Sequence, residues 1–139
     1  MKIKMFIGGV ILAAIYQNSH ASENPLPSSQ ALSPITDEVS FSKNVQPILH
    51  DYCLSCHSPG GKGYIKSGLD MTSYQGLMKG TKFGKVVIPG NSQDSTFTKL
   101  LTGTNNGLKM PMGLNSTGTL AHQYILVLRK WVNQGAKNN

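Results

Sequence analysis

Residues 41–57 read F-S-K-N-V-Q-P-I-L-H-D-Y-C-L-S-C-H, an apolar stripe that runs straight into two cysteines and a histidine. Phe41, Val45, Ile48, Leu49 and Tyr52 recur mostly at three- and four-residue steps, the period of one buried helix face. Ser40 and Ser42 are the candidate N-caps. Pro47 has no N–H to give to a helical ladder, so it belongs in a first turn or at a kink. The stripe ends where Cys53-Leu54-Ser55-Cys56-His57 begins, a C-x-x-C-H element.

C-x-x-C-H is the attachment pattern of c-type haem. Two thiols at this spacing share one helical face, each within reach of one vinyl group of a porphyrin. The histidine that follows is carried beneath the ring plane, where an imidazole nitrogen can bind iron. The expected cofactor is therefore one covalent haem c, held by Cys53 and Cys56, with His57 as the proximal metal ligand. Two other readings compete. In an oxidising compartment the cysteines can form a disulfide, or act as a thioredoxin-type pair, but the latter needs a βαβ context that this sequence lacks. A structural zinc site needs four ligands. Besides the cysteines, only His50, His57 and His122 are available once a leader carrying His20 is removed.

What fills the sixth iron position separates a carrier from an enzyme. Met110 and Met112 flank Pro111 in a glycine-containing loop, 53 and 55 residues after His57, far enough for the chain to pass around the ring and return. Proline restricts the residue before it and stiffens the loop. Met110 is the expected distal ligand, with Met112 as the alternative. Met71 and Met78 read as gap-filling core residues. His50 and His122 read as surface or capping residues, and Trp131 as a packing residue on an apolar stripe. No distal acid or base can be nominated, so no catalytic residues are expected and the chain is not read as an enzyme.

Upstream, Lys2 and Lys4 precede an apolar run from Met5 to Tyr16, and the small residues Ser19 and Ala21 flank a cleavage point. Residues 1–21 are the expected signal peptide. The run is about 12 residues against the ~20 of a spanning helix. No stable membrane span is expected after cleavage, and localisation is expected to be periplasmic or otherwise exported. Residues 22–37 are rich in proline and serine without an apolar period, the composition of a flexible linker. Residues 38–139 are the expected folded domain.

Within that domain, the run from Ser58 to Lys66, S-P-G-G-K-G-Y-I-K, has the composition of a loop. Thr72 or Ser73 is expected to cap a short helix through Met78, ending at Gly80. A further helix is expected from Asp94 to Leu101. The last helix is expected to be capped by Thr119 and closed by Gly135, with Leu120, Tyr124, Val127, Leu128 and Trp131 as its buried stripe. Nothing reads as alternating strands. The fold class is all-α, a small set of helices and loops wrapped around one covalent haem.

The chain has 13 basic and 6 acidic residues, a formal charge of +7. Loss of the leader removes Lys2 and Lys4 and no acid, leaving +5. Such a surface suits acidic protein partners, whereas export takes the chain away from nucleic acid. Lys62, Lys66, Lys79, Lys82, Lys85, Lys99 and Lys109 fall in the segments expected around the haem edge.

These residues also carry a family resemblance. Phe41-x-x-x-Val45-x-Pro47-Ile48-Leu49, Cys53-x-x-Cys56-His57, Gly68-Leu69-Asp70, Pro89-Gly90, Ser95, Leu100-Leu101, Met110-Pro111 and Trp131-Val132-x-x-Gly135-Ala136 resemble the planctomycete-type monohaem cytochrome c domain. The resemblance implies a compact cytochrome c fold whose first and last helices cross beside the haem, with Val45 and Leu49 meeting Leu128 and Trp131. It also implies a Met-Pro-Pro loop with its methionine as distal ligand. That maps onto Met110, although Met112 stands where the family has the second proline. The expected function is transfer of single electrons with His/Met ligation. The alternatives are a haem enzyme or gas-binding sensor with an open or displaceable distal site, and a haem-containing docking subunit of a dehydrogenase complex.

Overall fold

The computed structural model describes residues 38–114 and 118–139. The signal peptide expected over 1–21 and the linker expected over 22–37 lie outside the described residues.

Ser40 starts the first helical segment, its Oγ accepting the Lys43 N–H at 3.3 Å. Phe41–Val45 forms a π-type turn, in which the Val45 N–H reaches the Ser40 carbonyl at 3.3 Å. Helix α1, Gln46–Tyr52, follows directly with Pro47 in its first turn, where a missing N–H leaves no bond unmade. An unbroken α-helix would press the proline ring on the Lys43 carbonyl, and the widened turn upstream avoids this. Cys53 breaks the helix at φ −121°, and α2, Leu54–His57, continues as a single turn.

The segment expected to be a loop after the motif is in part helical, a correction to the composition reading. Helix α3 spans Lys62–Ser67 and ends on Gly68, whose φ of +74° is the left-handed conformation glycine tolerates. Gly63 lies inside it, at a position the site geometry explains. Helix α4, Tyr74–Lys79, has Ser73 as its cap, the Oγ accepting the Gly76 N–H at 3.1 Å, and Gly80 as its stop. Helix α5 is Thr96–Thr102, one residue further along at its C-terminal end than expected. Ser95 occupies its cap position but spends its hydroxyl on the Asn91 carbonyl at 2.7 Å, tying the preceding turn to the helix.

Helix α6 is His122–Asn133, and Ala121 stands at its N-cap without a side-chain bond. Thr119 is therefore not the cap. Leu120 is buried ahead of the helix, so the apolar stripe extends further than the helix that carries it. Gly135, at φ +98°, follows the C-cap Gln134 and turns the chain back on itself.

Among the described residues there are six α-helices and no strand beyond the isolated bridges Thr81–Gly84 and Asn105–Leu108, so the fold is all-α. The first and last helical segments pack in opposite senses: the Phe41 and Trp131 rings are 5.6 Å apart, and the Tyr52 and Tyr124 rings 5.4 Å. Val45, Leu49, Leu128 and Trp131, the residues the resemblance puts at the crossing, all lie in the one buried core. Tyr74 meets Phe41 edge-on at 5.2 Å and donates its hydroxyl to the Ala136 carbonyl at 2.9 Å. Trp131 is fully buried and its indole N–H donates to the Lys137 carbonyl at 2.9 Å, which supports a packing role. The chain end is held beside the first turn: Asn139 accepts the Phe41 and Ser42 N–H groups, and Lys137 pairs with Glu38. This clamp fixes α1, and with it the start of the C-x-x-C-H segment.

Candidate cofactor site

The site begins where α1 runs out. Cys53 still bonds back to the helix, its N–H donating to the Leu49 carbonyl at 2.9 Å, so its thiol stays under the apolar stripe. Burial, with a smaller contribution from Cys56, pushes that thiol up to about 12. Cys56 lies one turn on and is exposed. The two sulfurs are not joined to each other. The disulfide reading has no support in this arrangement, and among the described residues no cluster of histidine, cysteine and acid side chains could hold a metal ion alone.

The His57 N–H donates to the Cys53 carbonyl at 2.9 Å, which fixes the imidazole relative to the thiols, and its own carbonyl accepts the Met71 N–H at 2.8 Å. The ring is half-buried. Burial holds its pKa below the ordinary imidazole range, and the Leu69 backbone pulls less strongly the other way. Nδ1 nevertheless has no hydrogen-bond partner of normal geometry while being shielded from solvent. A buried polar nitrogen left so costs about 1–3 kcal/mol. Helix α3 lies flush against the other edge of the ring. A Cβ on Gly63 would stand 2.7 Å from Cε1 and 2.9 Å from Nε2 of His57. Glycine is required there because two pieces of chain approach closely, and composition alone registered it only as a loop residue.

Met110 comes from the loop after α5. Its N–H donates to the Leu100 carbonyl at 2.9 Å, and Gly103 leaves room for the Lys109 stem, which a Cβ would meet at 2.6 Å. The loop is thus folded back onto the end of α5, with Met110 half-buried and Met112 69% exposed. Met71 is buried and Met78 packs against the core, in keeping with their reading as fillers. His50 is exposed beside Asp51, with Nδ1 and Oδ1 3.0 Å apart, and His122 is exposed at the start of α6. Two open grooves of about 500 Å³ each run along the outer face of α6, sharing Leu126 and Arg129. None of Cys53, Cys56, His57 and Met110 lines either, so the donor atoms, rather than the surface hollows, define the site.

The residues fit a covalent haem. Two unjoined thiols sit at the attachment spacing, with a half-buried imidazole beside them whose inner nitrogen lacks a partner. An all-α body with this donor set is similar to that of a c-type cytochrome. Residues 53–111 match the family model described as Planctomycete cytochrome C, the family that the sequence resembles. No curated protein and no solved structure matches the chain. Among the described residues no helix is long and apolar enough to cross a membrane.

Proposed function

We propose that this chain is a periplasmic c-type cytochrome that passes single electrons through one covalent haem, with His57 and Met110 as axial ligands and without catalysing a reaction of its own. The observation that carries the reading is the half-buried His57 imidazole, with an unpartnered Nδ1, immediately after two free thiols. When bound, the haem supplies reversible one-electron exchange at its iron.

The chain's own residues give the rest. Cys53 and Cys56 anchor the ring, so that a small domain retains a large flat ligand whatever its core can contribute. Helix α3 packs against the His57 ring. Support of this kind around a ligand sets its orientation and basicity. The folding of residues 103–110 back onto α5, and the half-buried position of Met110 against the exposed Met112, favour Met110 as the second ligand. A loop tied down in this way has little to rearrange when the iron changes charge. The lysine-rich surface favours the reduced, less positive state and suits acidic redox partners.

The test is the weak near-infrared sulfur-to-iron band of the oxidised holoprotein. Met110→Ala should abolish it and Met112→Ala should leave it in place. Persistence of the band in Met110→Ala would assign the ligand elsewhere. Its absence from the unaltered protein would remove His/Met ligation altogether.

A further inference from the structure

The most exposed large apolar side chain among the described residues is Phe83, at 81%. It stands on a turn that is closed four ways. Thr81 and Gly84 exchange backbone bonds at 2.9 and 3.1 Å, the Phe83 N–H donates to Thr81 Oγ1 at 3.0 Å, and that hydroxyl donates to the Gly84 carbonyl at 3.1 Å. Gly80 lets the turn shut, since a Cβ there would meet the Gly84 carbonyl oxygen at 2.5 Å. The turn is also fixed to the body, because the Lys82 N–H donates to the Ser67 carbonyl at the end of α3 at 2.9 Å. Phe83 is therefore a rigidly mounted aromatic knob that nothing on the described chain covers.

The segments that meet at this turn are basic. Lys62 and Lys66 lie on α3, Lys79 ends α4, and Lys82 and Lys85 flank Phe83, with the Lys82 Nζ 5.1 Å from the centre of its ring. None of the five is ion-paired among the described residues. Asp70 is the sole carboxylate from residue 52 to residue 93, and it already accepts the Thr72 N–H and hydroxyl. Ile65, 68% exposed, adds a second apolar tip on α3.

We propose that this knob is a peripheral membrane anchor, inserting Phe83 into the headgroup region of an anionic phospholipid surface while the surrounding lysines engage the lipid phosphates. The charge selects an anionic partner. The shape selects a deformable one: a convex aromatic has to find a preformed socket on a protein, whereas a lipid surface opens around it. Aromatic tips with flanking lysines bind such interfaces through apolar burial plus attraction to anionic lipid. The assignment is independent of axial ligation and goes beyond electron transfer, placing the carrier on a surface where its partners can be reached by lateral diffusion.

The experiment is co-sedimentation of the mature holoprotein with vesicles of phosphatidylglycerol and phosphatidylethanolamine, against vesicles of phosphatidylcholine alone, at low and at near-physiological salt. The expected result is partition to the anionic vesicles only, weakened by salt. Phe83→Ala should reduce it about tenfold. Lys82→Ala should reduce it about fivefold, and Lys85→Ala by a similar factor. Both positions are exposed, and an unchanged visible spectrum and unfolding midpoint show that each variant is intact. Equal partition to phosphatidylcholine, no partition to anionic vesicles, or partition indifferent to Phe83→Ala overturns the proposal. The last outcome combined with weaker binding of the variant to an acidic redox protein would assign the knob to a protein partner.

Discussion

Replacing Gly63 with alanine tests whether α3 is fitted to the His57 ring. In the native packing the added Cβ would stand 2.7 Å from Cε1, 2.9 Å from Nε2 and 2.9 Å from the Cys56 carbonyl oxygen. Ordinary contact begins at 3.4 Å, so helix and imidazole must part by about 0.7 Å at the tightest point. The far side offers no easy retreat, because the His57 N–H and carbonyl are bonded to Cys53 and Met71. Overpacking of this kind costs about 1–3 kcal/mol. Alanine recovers about 0.8–1 kcal/mol of helix propensity over glycine, leaving a net loss of up to about 2 kcal/mol. In a domain of this size each 1 kcal/mol lowers Tm by about 4–8 °C. Thermal unfolding of the holoprotein should show that fall. The visible spectrum of the oxidised form and the reduction potential should move with it, because under the proposed ligation a displaced ring alters the iron ligand directly. Lys62→Ala, at an exposed neighbouring position, should leave the unfolding midpoint and the visible spectrum unchanged. A Gly63→Ala protein as stable as the original, with an unshifted spectrum and potential, would refute the reasoning.

Three further outcomes follow from the same geometry. Trp131→Ala should destabilise the holoprotein by about 3–5 kcal/mol in denaturant unfolding, since the indole is fully buried between the first and last helical segments. In protein made without haem, an alkylating reagent at neutral pH should modify the exposed Cys56 well before the buried Cys53, whose thiol is held protonated with its pKa pushed up to about 12; mass spectrometry of peptides reads the order. Asp70 has its pKa lowered by the Thr72 bonds, so its contribution is present above the ordinary carboxylate range and lost as pH falls through the lowered value. Unfolding midpoints measured across that acid range should fall less steeply for Asp70→Asn than for the unaltered protein.

The sequence made the site legible to different depths at different residues. Cys53, Cys56 and His57 could be read at once, because covalent attachment demands a fixed spacing and contiguous residues record it. The helices around them were readable where one face is buried, as in the stripe Phe41, Val45, Ile48, Leu49, and where a serine and a glycine bracket a segment, as Ser73 and Gly80 do. Helix α3 is not legible in the sequence because its glycines look like loop punctuation. Gly63 is helical for a tertiary reason, the approach to His57, that no local pattern encodes. Thr119 had the right chemistry for a cap, yet the helix begins three residues later, after Leu120 has turned into the core. Phe83 has no signature in the sequence, since a single aromatic between Lys82 and Gly84 carries no period; only its exposure marks it out.

The most direct test of the central claim is the mass of the mature exported protein, made in a host able to mature c-type cytochromes and measured after denaturation alongside its visible spectrum. The account predicts a mass that exceeds the polypeptide by one haem, still attached under denaturing conditions, and the absorption bands of a c-type cytochrome. A mass equal to that of the amino acids alone would contradict it.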